Sequence, residues 1–194
     1  MLIELIRHGE TVLQKRKCYQ GITDVPLSDE GRNKLMHAPA CPEHVYVTPL
    51  LRTKETAEIL FPDAEQIIVP GLSEMNFGVF EGKSFEDLKD DPLYRAWVYG
   101  NCLSACPGGE SRGEYISRVI EAFSVLLEGA GRAGESRIFI VAHGGTQMAV
   151  LSAFADEKKD YYSWQLPCGC GYLLSADSWD HHRTLHVESV ISYI

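Results

Sequence analysis

Two short apolar runs constrain this chain more than any other feature. Leu2 to Ile6 opens the sequence and Ile138 to Ala142 recurs far downstream. Each is followed within two residues by histidine and glycine, His8-Gly9 and His143-Gly144. Runs of this kind read as buried strands, and a sheet buried on both faces needs helices on each side. The stretches between them carry helical patterns. The expected fold is a single three-layer α/β/α sandwich over residues 1–194, with a mostly parallel central sheet and an antiparallel edge. Ligands of such sheets bind beyond the carboxyl ends of the strands, where both histidines fall.

Residues 28–38 read as a helix capped by Ser28, with Pro39 soon after it. Val45–Val47 is a short strand. Thr48-Pro49 supplies N-cap and first-turn residues for a helix that carries Arg52. Residues 66–69 form another strand, Gly71 to Gly82 a loop, and 84–100 two short helices split near Pro92. Ser111-x-x-Glu114 is a capping box for the clearest helix, whose apolar residues recur at helical spacing up to a C-cap at Gly129. Arg137–Ala142 is a strand, 145–155 a buried helix, and 171–176 and 183–188 the last two strands. Helix N-termini at Thr48-Pro49 and Gly144 would point N–H groups at the histidines, which suits an anion.

The net charge of −9 argues against nucleic acid or an anionic membrane as partner. No apolar run approaches the roughly 20 residues of a membrane span, and the N-terminus has neither the basic start nor the apolar core of a signal peptide. A cytoplasmic protein, monomeric or homodimeric, is expected. Among the six cysteines, Cys168 and Cys170 with His181, His182 and His186 form the best metal grouping. They lack paired Cys-x-x-Cys units, so the expectation is reduced, mostly structural thiols and no metal.

With such an acidic chain, a phosphate substrate must be drawn by a local group of cations. Arg7 beside His8 is a poor packing choice unless the chain has already left the sheet. Arg52 in a helix first turn opposes the dipole and needs an anion or carboxylate to compensate. Imidazole is a competent nucleophile toward phosphorus, and fixed cations can hold the oxygens of a transferring phosphoryl group. Glu74 has apolar neighbours; burial would raise its pKa and let it protonate a leaving oxygen. Lys15-Arg16-Lys17 reads as a solvated loop, and Arg118, Arg132 and Arg137 as surface. Tyr94, Trp97 and Tyr99 fit core packing and pocket lining equally well, and Pro107-Gly-Gly-Glu110 reads as a loop entering the capped helix.

With these residues assembled, the chain resembles the histidine phosphatase (phosphoglycerate-mutase-like) superfamily. The resemblance lies in Arg7-His8-Gly9-Glu10-Thr11, in Thr48 to Ala57, in Leu72 to Gly78 with Phe80-Glu-Gly82, and in Val141-Ala-His143-Gly144. It implies that His8 is phosphorylated on a ring nitrogen while Arg7, Arg52 and His143 hold the phosphoryl oxygens. Glu74 would protonate the leaving alcohol and then activate water. Gln14, Gln20, Gly21 and the Gly144 backbone would complete the phosphate pocket, with no cofactor and no metal. Four positions depart from the common pattern: Gln14 for asparagine, Gln20 for serine or threonine, Thr48 for serine and Thr53 for alanine.

The mutases of this family that depend on a bisphosphate cofactor carry inserted segments, whereas this chain is short between Glu74 and His143. Hydrolysis is therefore favoured over phosphoglycerate mutase activity. Details such as Ala96-Trp97 and Pro107-Gly-Gly-Glu-Ser111 are similar to the α-ribazole phosphatase and broad-specificity bacterial branch. α-Ribazole 5′-phosphate becomes the lead among small phosphorylated substrates. A non-catalytic phosphate-binding module is the reading from a different class. A mildly acidic optimum is expected, since Glu74 must be protonated while the attacking nitrogen of His8 is not.

Overall fold

A computed structural model describes all residues, Met1–Ile194. In chain order the elements are β1 (Leu2–Arg7), α1 (Val12–Lys15), α2 (Asp29–Lys34), β2 (His44–Val47), α3 (Leu51–Leu60), β3 (Glu65–Ile68), α4 (Phe85–Leu88), α5 (Pro92–Tyr99), α6 (Arg112–Ala133), β4 (Arg137–Ala142), α7 (Gly144–Phe154), β5 (Cys170–Ser175), α8 (Trp179–His182) and β6 (His186–Ser192). Short 3₁₀ turns lie at Pro70–Leu72, Gly78–Phe80 and Tyr161–Trp164. The six strands form one sheet in the order β3-β2-β4-β1-β5-β6. The four strands β3-β2-β4-β1 are parallel, and β5 and β6 are antiparallel to their neighbours.

Alternation along the central strands sends their side chains into two cores. Ile3 and Leu5 of β1 join Ile138 and Ile140 of β4 in the larger core, under Val119, Phe123 and Leu127 of α6 and Val150 of α7. Ile6 and Val141 face the other way, with Val45 and Val47 of β2 and Ala57 and Leu60 of α3. Glu4 is the polar exception on that face. Only 2% exposed, it accepts from Arg137 and from the Tyr193 hydroxyl, tying the C-terminal segment to the central strand. Arg137 is therefore a partner of a buried carboxylate rather than a plain surface residue.

Register places the histidines. Arg7 pairs with Ala142 across the parallel β1–β4 ladder, and the His8 N–H donates to the Ala142 carbonyl at 3.0 Å. Both chains then leave the sheet side by side.

Several local expectations shift. The helix expected over 28–38 keeps Ser28 as its cap but ends at Lys34; Leu35 turns extended and buries, and the Met36 N–H bonds the Tyr193 carbonyl. Thr48-Pro49 does not cap α3, whose N-cap is Leu50 with no side-chain bond. α6 runs past Gly129 to a left-handed cap at Gly134. The last strand lies at 186–192 rather than 183–188, because α8 and a left-handed Arg183 intervene. Tyr94 and Trp97 are buried while Tyr99 is exposed.

Candidate active site

β1 and β4 deliver His8 and His143 with ring centroids 5.2 Å apart. The His8 Nδ1 lies 2.7 Å from the Gly9 carbonyl oxygen, which can only accept, so Nδ1 carries the proton. Nε2 is left with its lone pair, has no partner within the chain, and belongs to a side chain lining a cavity of about 320 Å³. Burial, reinforced by Arg52 and Arg7, holds the His8 pKa well below the ordinary histidine range. The ring is thus neutral, with a fixed tautomer and a free lone pair.

His143 is oriented by a chain of hydroxyls. Its Nδ1 accepts from Arg52 Nε at 3.3 Å, so its Nε2–H donates to Thr48 Oγ1 at 3.0 Å. Thr48 in turn donates to Thr53 Oγ1 at 2.9 Å, and Thr53 donates to the Leu50 and Thr48 carbonyls. The two threonines that depart from the family pattern therefore act together, and Thr48 serves His143 instead of the helix. Burial, then Arg52, His8 and Arg7, hold the His143 pKa low as well.

Arg52 is fully buried and forms no ion pair with a carboxylate. It donates from Nη1 to the Thr23 carbonyl at 3.1 Å and from Nη2 to the Gly21 carbonyl at 2.7 Å. With Nε on His143, one N–H on each terminal nitrogen remains uncommitted. Burial lowers its pKa, opposed by the charges of Glu74, Asp24 and Glu81. Arg7 donates to the Leu166 carbonyl, and its buried Nε has no partner.

The remaining candidates divide. Gln20 accepts from Thr11 and keeps a buried, unpartnered Nε2 in the cavity wall. Gln14 closes a capping box with Thr11, accepts from Cys168 Sγ at 3.3 Å, and also lines the cavity. Gly144 lines it as the first residue of α7, where helical geometry leaves its N–H without an intrahelical acceptor. Gly21 does not: its N–H is taken by Glu81, and its carbonyl lies under Arg52.

Glu74 is half-buried rather than enclosed by apolar neighbours. Its carboxylate accepts from the Gly145 N–H and the Met75 N–H, each at 3.0 Å. A Cβ on Gly145 would lie 2.1 Å from Glu74 Oε1, so any side chain there would displace the carboxylate from the start of α7. Arg118, expected at the surface, holds this loop by donating to the carbonyls of Gly71, Ser73 and Glu74 while paired with Glu110. Glu110 also accepts from the Asn76 N–H at 2.9 Å, so the Pro107-Gly-Gly-Glu110 stretch is a clamp as well as a connection.

His143 and Arg52 are buried behind the cavity rather than in its wall, which beyond His8 is built by Tyr19, Met75, Phe77, Trp97, Met148, Tyr161 and Tyr162, with Arg112 at 5.4 Å over the Tyr161 ring. Tyr115 lies against Glu74, and burial raises its pKa well above the usual phenol value, keeping it a neutral hydroxyl. The cysteine–histidine grouping is not assembled: Cys170 Sγ contacts Ser192, His186 pairs with Asp156, and no group of three or more His, Cys, Asp or Glu is placed to hold a metal ion. All six thiols are free, and burial raises the pKa of Cys106 to about 11. No helix is long and apolar enough to cross a membrane.

The family model of the histidine phosphatase superfamily (branch 1) matches residues 3–185. The chain belongs to this superfamily of phosphatases and mutases. The probable phosphoglycerate mutase GpmB of Erwinia tasmaniensis is 31% identical over 152 residues, covering 73% of this chain and 69% of that protein. The 2,3-bisphosphoglycerate-dependent phosphoglycerate mutase 2 of Gloeobacter violaceus is 28% identical over 166 residues, covering 77% and 74%. Among solved structures, the alpha-ribazole phosphatase of Shigella flexneri superposes with a TM-score of 0.82 at 22% identity, covering 100% of this chain and 96% of that one. The phosphoglycerate mutase of Thermus thermophilus superposes at 0.72 with 28% identity, covering 99% of each chain.

Proposed function

We propose that this histidine phosphatase superfamily member hydrolyses small phosphomonoesters through a phosphohistidine on Nε2 of His8. One observation carries the reading. A nucleophile with its lone pair free shares a cavity with N–H donors that have no partner in the fold, Nε of Arg7 and Nε2 of Gln20. Buried donors are almost always paired, so unpaired ones converging on a nucleophile mark a place for anionic oxygens. Arg7, Arg52, Gln14, Gln20 and the Gly144 N–H receive the phosphoryl group, while His143, whose two ring nitrogens are taken by Arg52 and Thr48, orients Arg52. Arginine forks supply the charge a metal would otherwise bring. His8 displaces the alcohol at phosphorus while Glu74 donates a proton to the departing oxygen. Glu74 then takes a proton from the water that releases phosphate and restores His8.

The aromatic wall favours an alcohol bulkier and less polar than glycerate, in keeping with α-ribazole 5′-phosphate as the lead substrate. Chain length does not separate the alternatives, because a T. thermophilus protein described as a phosphoglycerate mutase matches this chain nearly end to end. The names of the relatives make phosphoglycerate mutase the second reading.

Steady-state hydrolysis of p-nitrophenyl phosphate by wild type and His8→Ala, with and without EDTA, tests the proposal. We expect phosphate release that survives EDTA and falls by at least about 10³-fold in the variant, the scale of losing a nucleophile. Isomerisation of 3-phosphoglycerate on adding 2,3-bisphosphoglycerate, without hydrolysis, would select the mutase. Tight phosphate binding without turnover would mean a binding module.

A further inference from the structure

Glu81 lies outside the cavity, yet its carboxylate is among the most heavily hydrogen-bonded in the molecule. Oε1 accepts from the N–H groups of Gly21, Ile22 and Phe77 at 3.1, 3.1 and 3.0 Å. Oε2 accepts from the N–H groups of Gly21 and Thr23 at 3.0 and 3.2 Å and from the Thr23 hydroxyl at 2.5 Å. It forms no ion pair within the chain.

The peptide geometry gives this arrangement a purpose. The Ile22 N–H and the Gly21 carbonyl belong to one planar trans unit, so they point in opposite directions. Glu81 takes the N–H, and Nη2 of Arg52 takes the carbonyl at 2.7 Å. Thr23 is held within one residue rather than one peptide unit: Glu81 takes its N–H and hydroxyl, and its carbonyl, in the following unit, receives Nη1 of Arg52 at 3.1 Å. The carboxylate thus fixes both carbonyls that seat the guanidinium without touching it. A direct carboxylate–arginine pair would occupy the N–H groups and offset the charge that a phosphoryl group needs.

The Phe77 bond extends the hub to the Glu74 loop. Its peptide unit carries the Asn76 carbonyl, which accepts from the Glu110 N–H at 2.9 Å, so Glu81 and the Glu110–Arg118 pair hold the loop between them. The two loops also touch directly: a Cβ on Gly21 would lie 1.7 Å from the Met75 carbonyl oxygen.

We infer that Glu81 is a positioning residue for phosphoryl transfer that acts through Arg52, seating its guanidinium by way of the Gly21–Ile22 peptide unit and Thr23, with the Glu74 loop tied to the same carboxylate. This rests on the hydrolase reading above. Misplacing a catalytic group by about 1 Å can cost about 10²-fold in rate. Glu81→Gln, which keeps the shape but turns an acceptor into a donor facing N–H groups, is expected to lower kcat for p-nitrophenyl phosphate by about that factor with KM little changed.

A purely structural role is separated by a double-mutant cycle with Arg52→Lys. If Glu81 acts through Arg52, adding Glu81→Gln to Arg52→Lys changes kcat by no more than about twofold, and Glu81→Asp, which keeps the charge, recovers part of the loss. Losses that multiply, or a Glu81→Gln rate within about twofold of wild type, would overturn the inference. Should Glu81→Gln fail to fold, the same cycle is read with Glu81→Asp. Should the wild type hydrolyse no phosphomonoester, the hydrolase reading fails by itself. Calorimetric affinities of the four proteins for inorganic phosphate then read the same coupling, and additive losses there would equally refute it.

Discussion

The chemistry of the site depends on which nitrogen of each histidine carries its proton. On His8 the Gly9 carbonyl decides it; on His143 the Thr48–Thr53 hydroxyls do, ending on carbonyls that can only accept. Both rings are kept neutral by burial first and by Arg52 next. That has a consequence for stability. Below the ordinary histidine pKa of 6.5 the unfolded chain takes up protons that the folded one refuses. The stability from these rings is therefore full above that pH and is lost as pH falls from it toward the depressed folded values. The slope reaches up to about 1.4 kcal/mol per pH unit for each histidine. In thermal melts between pH 7 and pH 5, His8→Gln should show a shallower decline of Tm than wild type; parallel declines would contradict the assignment. The same neutrality keeps the Nε2 lone pair of His8 available on the acid side, as the proposed hydrolysis with a mildly acidic optimum requires.

At the scale of elements, α6 was the most legible from residues alone. Its start depends only on near neighbours: Ser111 accepts from the Glu114 N–H at 3.2 Å, and Glu114 returns a bond to the Ser111 N–H. Ser111→Ala should lower unfolding stability by about 1 kcal/mol in urea titration; an unchanged midpoint would mean that packing alone holds the helix. Expectations failed where distant groups compete for local ones. Thr48 has the chemistry of a cap, but His143 claims its hydroxyl. Arg118 has the spacing of a surface residue, but the carbonyls of the Glu74 loop lie over it. Glu74 has apolar neighbours in sequence, yet its carboxylate turns to the start of α7. Glu81 gave no signal beyond its place after Phe80, because the N–H groups it collects come from two separate loops. His8, Arg7 and His143 could be placed from strand ends, since a strand's register carries its last residues to a definite point.

The molecule as a whole works by contrast. It carries a net charge of −9, while the cavity has Arg7 and the His8 imidazole in its wall, with His143 and Arg52 buried behind them. A parallel β1–β4 ladder, packed on both faces, fixes the distance between the histidines, and α7 begins at that same place. The N–H groups of its first turn serve Glu74 and the open end of the cavity. Every part of this architecture meets at one claim, that His8 accepts the phosphoryl group before water does. The most direct test is the stereochemical course of hydrolysis of a phosphorothioate monoester chiral at phosphorus. Two successive in-line displacements, first by Nε2 of His8 and then by water, predict retention of configuration. Inversion would mean that water attacks the substrate directly and would contradict the account.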